Sequence, residues 1–549
     1  MGIEWARGIF YGSPLLEETS NALDLVGKES SLHPWVFPRV LAKGKRTPFL
    51  IDESHYSILG VPAGEILDPH QKESIGYILG GDDTLLGDDA GLGKTISIIC
   101  SLNAWCASRV LIVCPAVVKY NWKKELLKWS NLRGERIHVV EGDDIWVPDS
   151  DSPGVTIINY DLLVRHKKAL AAHLWDGLVY DESHKINNEK NKRTRAALGH
   201  GKKQKAIPAR KRIFASATSL NKPKHLWATA QACDPQGLGS NWFKFVHRYC
   251  DAVHTQYGLN VNGASNLGEL GARMRASYYI RHNDSVLGLK PYTENVIAVP
   301  RTKRVKETQS QMILAMLGKA QADGDQEVLV RLDGLIKAVQ AAQSDSQSSI
   351  QILEAEIDNA IRIVGDTLAE QAQGLRGFVP DFEEMSEYRR IIAEDKVEYA
   401  KAYLDSILSD DPDEGPILIF CHHKSVVQLL ADVCEKYGKV EIIDGSVKAS
   451  ERQEIVSRFQ DGTTRIIVAN LFAGGEGITL TRANRVLFVE TDWNATTIRQ
   501  CFKRIHRRGQ QRACLIEYLL MDNSVDIFVT GKFIAKRKII DEVNDEIGV

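Results

Sequence analysis

The chain has 549 residues, 44% hydrophobic and 26% charged, with a formal net charge of −2, the balance of a globular protein of about three or four domains. No apolar run reaches about 18 residues and the opening Met1-Gly-Ile-Glu-Trp5 lacks a leader pattern, so an intracellular protein with no membrane partner is expected. The nine cysteines form no Cys-x-x-Cys pair, which argues against disulfide and zinc frameworks. A net charge this small also means that any polyanion-binding surface must be local.

Residues 1–64 read as a small β-rich accessory module, with strand-like runs at 5–11, 35–37 and 48–51 between Gly, Pro and Ser turns. The tetrapeptide Asp52-Glu53-Ser54-His55 recurs at 181–184; at 52–55 it precedes the phosphate loop and is read as coincidence. Gln71, in Leu67-Asp-Pro-His-Gln, offers the donor and acceptor that reading an adenine edge requires.

Gly87-Asp-Asp-Ala-Gly-Leu-Gly-Lys-Thr95 then lies between the apolar strand end 84–86 and a helix start at Lys94. Glycines let backbone N–H groups approach a phosphate at a helix N-terminus. Lys94 can reach the outer phosphates, and the Thr95 hydroxyl can hold Mg²⁺. Asp88 stands where the strict pattern has glycine.

Strands at 110–115, 155–160, 177–180 and 213–216 alternate with helical segments such as 121–129, which predicts a parallel sheet with its site at the carboxyl ends of the strands. Asp181 and Glu182 follow one of these strands, placed to serve as Mg²⁺ partner and general base. Ser216 and Thr218 end another and could hydrogen-bond to Asp181. Residues 185–212 are strongly basic, and Lys202, Lys203 and Lys205 are candidates for DNA-backbone contact, against the alternative of a solvated loop.

From 303 to 405 the pattern turns helical, with periodicity at 328–342 and 350–364, and predicts long helices protruding from a lobe. A second α/β series follows, with strands at 416–421, 440–444, 465–469 and 485–489. It lacks a phosphate loop and instead carries Ala473-Gly-Gly-Glu-Gly477-Ile-Thr479 and Gln500-x-x-x-Arg504-x-His-Arg507-x-Gly-Gln510. Two arginines three apart would share a helix face, as an arginine finger and its neighbour across a cleft from Lys94.

In this order, Gln71, 91–95, 181–184, 216–218, 474–479 and 500–510 resemble the two-lobed helicase-type ATPases of superfamily two, and within it the Swi/Snf family of double-stranded DNA translocases. The resemblance covers roughly residues 65–535. Asp-Glu-Ser-His at 181–184, Ile419-Phe-Cys-His-His-Lys424, Arg248-Tyr-Cys-Asp-Ala252 and Ser265-Asn-Leu-Gly-Glu-Leu270 are closest to the annealing, fork-remodelling branch. Departures are Ser216-Ala-Thr-Ser in place of Gly-Thr-Pro, Thr479 in place of Asn, and Glu476 in place of an apolar residue.

Beyond the module read at 1–64, which the resemblance does not cover, it implies a RecA-like lobe at 65–300, a helical insertion at 301–405 and a second RecA-like lobe at 406–549. It implies ATP and Mg²⁺ as cofactors, with duplex and forked DNA as partners of a monomer. Gln71, Asp89, Gly91, Gly93, Lys94, Thr95 and Gly477 would bind nucleotide, with Mg²⁺ at Thr95 and Asp181. Lys94, Asp181, Glu182, Arg504 and Arg507 would be catalytic, while His184, Ser216, Thr218 and Gln500 couple the lobes. A strand-separating DNA or RNA helicase and a catalytically silent DNA-binding scaffold are the competing readings.

Overall fold

The computed structural model describes residues 48–149, 152–200, 204–217, 223–255, 258–323, 382–408, 415–475, 477–492 and 494–527, with isolated positions besides. It divides into two compact units between Gly288 and Leu289. Each is a parallel-sheet α/β lobe of RecA-like type.

In the first unit, β1 (Asp83–Leu86), β2 (Arg109–Cys114), β3 (Ile137–Val139), β4 (Gly154–Asn159), β5 (Trp175–Asp181), β6 (Ala209–Ala215) and β9 (Tyr279–Ile280) form one sheet. Their order is β3-β4-β2-β5-β6-β1-β9, all parallel. A separate hairpin joins β7 (Val253–Thr255) and β8 (Gly258–Asn260).

Strand side chains alternate between two buried faces, as a sheet covered by helices on both sides requires. Ile112, Cys114, Val179 and Ile213 pack on one face, and Leu111, Val113, Leu178, Tyr180 and Phe214 on the other. Helices α1 (Pro69–Leu79), α2 (Lys94–Ala104) and α3 (Lys119–Trp129) supply Ile75, Ile98 and Trp122 to the first face. Helix α4 (Tyr160–Ala171) supplies Tyr160, Leu163 and Leu170 to the second.

The strands expected at 5–11 and 35–37 lie outside the described residues, and 48–51 is irregular chain rather than a strand, with the Phe49 amide donating to the Gly76 carbonyl (3.0 Å). Residues 53–59 are instead a 3-10 turn and a short helix closed by Gly60.

The second unit's sheet has the order β10-β15-β14-β11-β13-β12, again parallel: β10 (Thr293–Val299), β11 (Ile417–Cys421), β12 (Val440–Ile443), β13 (Ile466–Asn470), β14 (Arg485–Phe488) and β15 (Leu515–Met521). Two long helices, α5 (Lys303–Asp323) and α6 (Phe382–Leu408), put Ile313, Leu317, Ile392, Ala400 and Leu404 into its core. The helices expected at 328–342 and 350–364 fall mostly outside the described residues.

Candidate nucleotide site

Strands β1, β6 and β5 are consecutive in the first sheet, so their carboxyl ends bring the phosphate loop, Ser216 and Asp181–Glu182 to one edge. The loop turns through Gly91 (φ +93°) and Gly93 (φ +81°), left-handed conformations that favour glycine. A Cβ at Gly93 would also collide with the Gln71 amide nitrogen. Helix α2 starts at Lys94, which leaves its first backbone N–H groups facing the loop.

The loop is braced from three sides. Gln71 is third in α1; its Oε1 accepts the Asp68 amide (3.0 Å) and its Nε2 donates to the Leu92 carbonyl (3.3 Å). The side chain proposed to read adenine is thus already committed to the loop. Asp88, the departure from glycine, is fully buried and accepts from the Ser74 hydroxyl (3.0 Å) and the His282 amide (2.8 Å). His282 Nδ1 lies 2.9 Å from the same carboxylate, and Arg281 pairs with Asp89 at 3.1 Å. Burial works against a charged His282, yet Asp88 and Glu73 together raise its pKa.

Sequence reasoning did not single out Arg281 and His282. They follow β9, a two-residue strand, and serve the loop from 192 and 194 residues away. Lys94 Nζ donates to the carbonyls of Asp88 (2.7 Å) and Asp89 (3.1 Å). Burial lowers its pKa, opposed by Glu182, Asp88, Asp181 and Asp89.

Asp181 ends β5. Its Oδ2 accepts the Trp122 indole N–H (2.8 Å) and its Oδ1 the Glu182 amide (3.1 Å), while the Tyr160 hydroxyl donates to its carbonyl (2.6 Å). Burial, with Glu182 beside it, pushes the Asp181 carboxyl up to about 6. Glu182 has φ +52°, an uncommon conformation for a residue with a Cβ and one found at functional turns. His184 Nδ1 lies 3.2 Å from Glu182 Oε2 and 3.1 Å from the Ser216 hydroxyl. The Ser216 hydroxyl, expected near Asp181, meets His184, while the two Asp181 oxygens accept from Trp122 and the Glu182 amide. Thr218 is outside the described residues.

Two carboxylates and a half-buried threonine hydroxyl at one edge form a hard-oxygen set that suits Mg²⁺, and the lysine beside them suits a polyphosphate. Asp181, through water, and Thr95 are the residues that would hold the ion.

The second unit carries the arginines differently from expectation. Helix α8 (Ala495–Phe502; α7 is Lys424–Cys434) ends before them, so they share no helix face. The chain tightens instead, with Arg504 N–H donating to the Cys501 carbonyl and Ile505 N–H to that of Phe502. Gln510 Nε2 holds the carbonyls of Thr481, Ala483 and Ile505. Arg504 and Arg507 converge on one acceptor, the Ile478 carbonyl, at 3.3 and 3.1 Å, next to Gly477 (φ +72°). The Gln500 carbonyl accepts from Arg504 Nε.

His422, His423 and Glu490 bring ligand atoms within 4.8 Å of one another. Glu490, however, has both oxygens occupied: Oε2 accepts the amides of His422 and His423, and Oε1 meets His423 Nδ1 at 2.6 Å. It caps the turn from β11 into α7.

Much of the basic run is neutralised within its own lobe. Arg193 pairs with Asp161, Arg210 with Asp176, Lys211 with Asp82 and Arg212 with Asp83. Lys205 is exposed, and Lys202 and Lys203 are outside the described residues. Among the described residues no helix is long and apolar enough to cross a membrane.

Residues 70–330 match the SNF2-related domain and 396–509 the helicase conserved C-terminal domain. In these two matched stretches the chain is similar to the superfamily-two, SNF2-family helicase-like ATPase core. Its relatives do not fall into a single branch. The SWI/SNF-related matrix-associated actin-dependent regulator of chromatin subfamily A-like protein 1 of Xenopus tropicalis is 26% identical over 90% of this chain and 46% of its own length. The human DNA annealing helicase and endonuclease ZRANB3 is 28% identical over 86% of this chain and 40% of its own. The chain thus spans less than half the length of each of these two relatives. Among solved structures, the Sulfolobus solfataricus SWI2/SNF2 ATPase core in complex with dsDNA is 20% identical, covering 88% of this chain and 97% of that one, with a TM-score of 0.38.

Proposed function

We propose that this protein is an ATP-dependent double-stranded DNA translocase that remodels or anneals forked and branched DNA. The observation that carries the reading is the gathering of Lys94, Asp181 and Glu182 at one sheet edge of an SNF2-related domain that a helicase C-terminal domain follows.

In this reading the loop amides and Lys94 bind the phosphates, and Lys94 leaves the two carbonyls it holds in this structure. Asp181 orients toward the ion, and Glu182 takes a proton from the attacking water. Magnesium, when bound, neutralises charge on the phosphates. His184 links Glu182 to Ser216 and so ties the state of the base to the end of β6. Arg504 and Arg507 donate to the transferred phosphoryl group, which accumulates charge in the transition state. One relative is named a DNA annealing helicase, which favours DNA as the substrate and annealing over strand separation.

A translocase that grips an intact duplex has no inherent reason to part the strands, and rewinding is downhill. With ATP and Mg²⁺ the protein should drive complementary strands together or move a fork junction, and barely unwind a tailed duplex. One labelled fork and one tailed duplex, each with wild type and Glu182→Gln, test this. Rapid ATP-dependent unwinding of the tailed duplex, or stronger stimulation by RNA than by DNA, would replace annealing with the strand-separating helicase.

A further inference from the structure

The first unit buries several indoles against its sheet, and they are not used alike. Trp105, Trp122 and Trp129 all belong to one core cluster, and each is at most 4% exposed. An indole N–H can only donate, so burying one without an acceptor costs free energy that a phenylalanine would avoid. The N–H groups of Trp105 and Trp129 meet no acceptor, whereas that of Trp122 points at Asp181 Oδ2, 2.8 Å away. Helix α3, which carries Trp122, is itself anchored at its start, where the buried Lys119 ammonium donates to the Val140 carbonyl (2.7 Å).

We propose that Trp122 is a positioning residue whose indole N–H fixes the Asp181 carboxylate in the orientation that nucleotide-bound magnesium requires. The inference rests on the function proposed above and adds to it a residue outside the motifs that bind nucleotide. With Oδ2 held by Trp122 and Oδ1 by the Glu182 amide, the carboxylate cannot turn about its last bond without losing a donor. Mg²⁺ tolerates little departure from octahedral geometry, and outer groups that orient its ligands are worth about 10–100-fold in metal affinity or activity. A side chain that merely filled the core would have no bearing on the ion.

The test replaces Trp122 by benzothienylalanine, which keeps the ring outline and substitutes sulfur for the N–H, with Trp122→Phe as the genetically simple companion. Trp129→Phe, on the same helix, is the packing control. The full chain is titrated with a fluorescent ATP analogue at increasing Mg²⁺ and again in EDTA, and turnover is measured against Mg²⁺. Both Trp122 variants should raise the Mg²⁺ concentration for half-maximal binding and turnover by about tenfold or more. Affinity in EDTA should stay unchanged, and saturating Mg²⁺ should restore most of the rate. The Trp129 variant should leave the Mg²⁺ dependence where it is.

An unshifted Mg²⁺ dependence in a folded benzothienylalanine variant, or an equal shift in the Trp129 control, would overturn the proposal. Failure of the underlying reading looks different. Wild type would then show no Mg²⁺-dependent nucleotide binding, or Asp181→Asn would leave that dependence unaltered; either result removes the proposal's basis without any substitution at Trp122.

Discussion

The same four residues, Asp-Glu-Ser-His, occur at 52–55 and at 181–184, and both copies enter a 3-10 turn. At 52–55 the aspartate is exposed and acts locally: Asp52 Oδ1 accepts the Ser54 amide (2.9 Å) and meets His55 Nδ1 (2.8 Å), a capping box closed on itself. The Ser54 hydroxyl, which donates to the same oxygen, holds the carboxyl below the ordinary value, with the Ser54 amide and His55 adding to it against an opposing effect of burial. At 181–184 the aspartate ends a buried strand. Its partners come from two other parts of the chain, burial raises its pKa to about 6, and the histidine reaches another strand's serine. A motif's chemistry here is set by the strand before it and by the groups that the fold brings from afar.

The largest contrast expected is between the two glutamates. Glu182→Gln should cut ATP turnover by about 10²–10⁴-fold while nucleotide stays bound, because only the base is lost. Glu53→Gln should leave turnover unchanged. Steady-state rates with parallel nucleotide-binding titrations separate the two, and a Glu182→Gln rate near wild type would break the comparison.

The next contrast is in pH. In the proposed mechanism it is the ionised form of Asp181 that faces the ion, so kcat/KM should fall about tenfold per unit as pH drops below about 6. Bound Mg²⁺ favours the carboxylate, so the kcat profile should break at lower pH. Asp52→Asn should move neither profile.

A smaller effect should separate the histidines. His184→Ala should lower DNA-stimulated ATPase by about tenfold, and basal ATPase by less, since it removes the link between Glu182 and Ser216. His55→Ala should change neither rate.

The smallest effect is on stability, and it has opposite signs in the two copies. A carboxyl raised to about 6 in the folded state favours folding when protonated, so its contribution declines as pH rises from about 4 through 6. The nucleotide-free Asp181→Asn protein should therefore be more stable than wild type at pH 7.5, by on the order of 1–2 kcal/mol, with the gain vanishing toward pH 4. Asp52→Asn, which weakens a capping box, should be slightly less stable at neutral pH. Denaturant melts at pH 4, 6 and 7.5 compare them.

That Lys94, Asp181 and Glu182 share one sheet edge was largely legible in the sequence because the signals are local. A short apolar strand, a glycine turn and a helix start are contiguous at 83–104, and Asp181–Glu182 directly follow a buried strand. What could not be read there are the long-range partners. Asp88 looked like a defect in the loop until Ser74 and His282 explained it. Arg504 and Arg507 have helical spacing, but three carbonyls on one glutamine amide hold that segment in a tight turn. The basic run at 185–212 looked unpaired because its acids, Asp82, Asp83, Asp161 and Asp176, lie elsewhere in the chain. Trp122 and Trp129 both lie in the helical segment expected at 121–129, and nothing in the sequence told one indole N–H from the other.

The most direct test of the whole account is steady-state ATPase activity of wild type and Glu182→Gln with duplex DNA, single-stranded DNA, forked DNA and RNA at one fixed salt concentration. The account predicts that junctions between single and double strands stimulate wild type most and RNA little, while Glu182→Gln stays near background with every substrate. Equal rates for wild type and Glu182→Gln, or hydrolysis that responds to RNA above DNA, would contradict it.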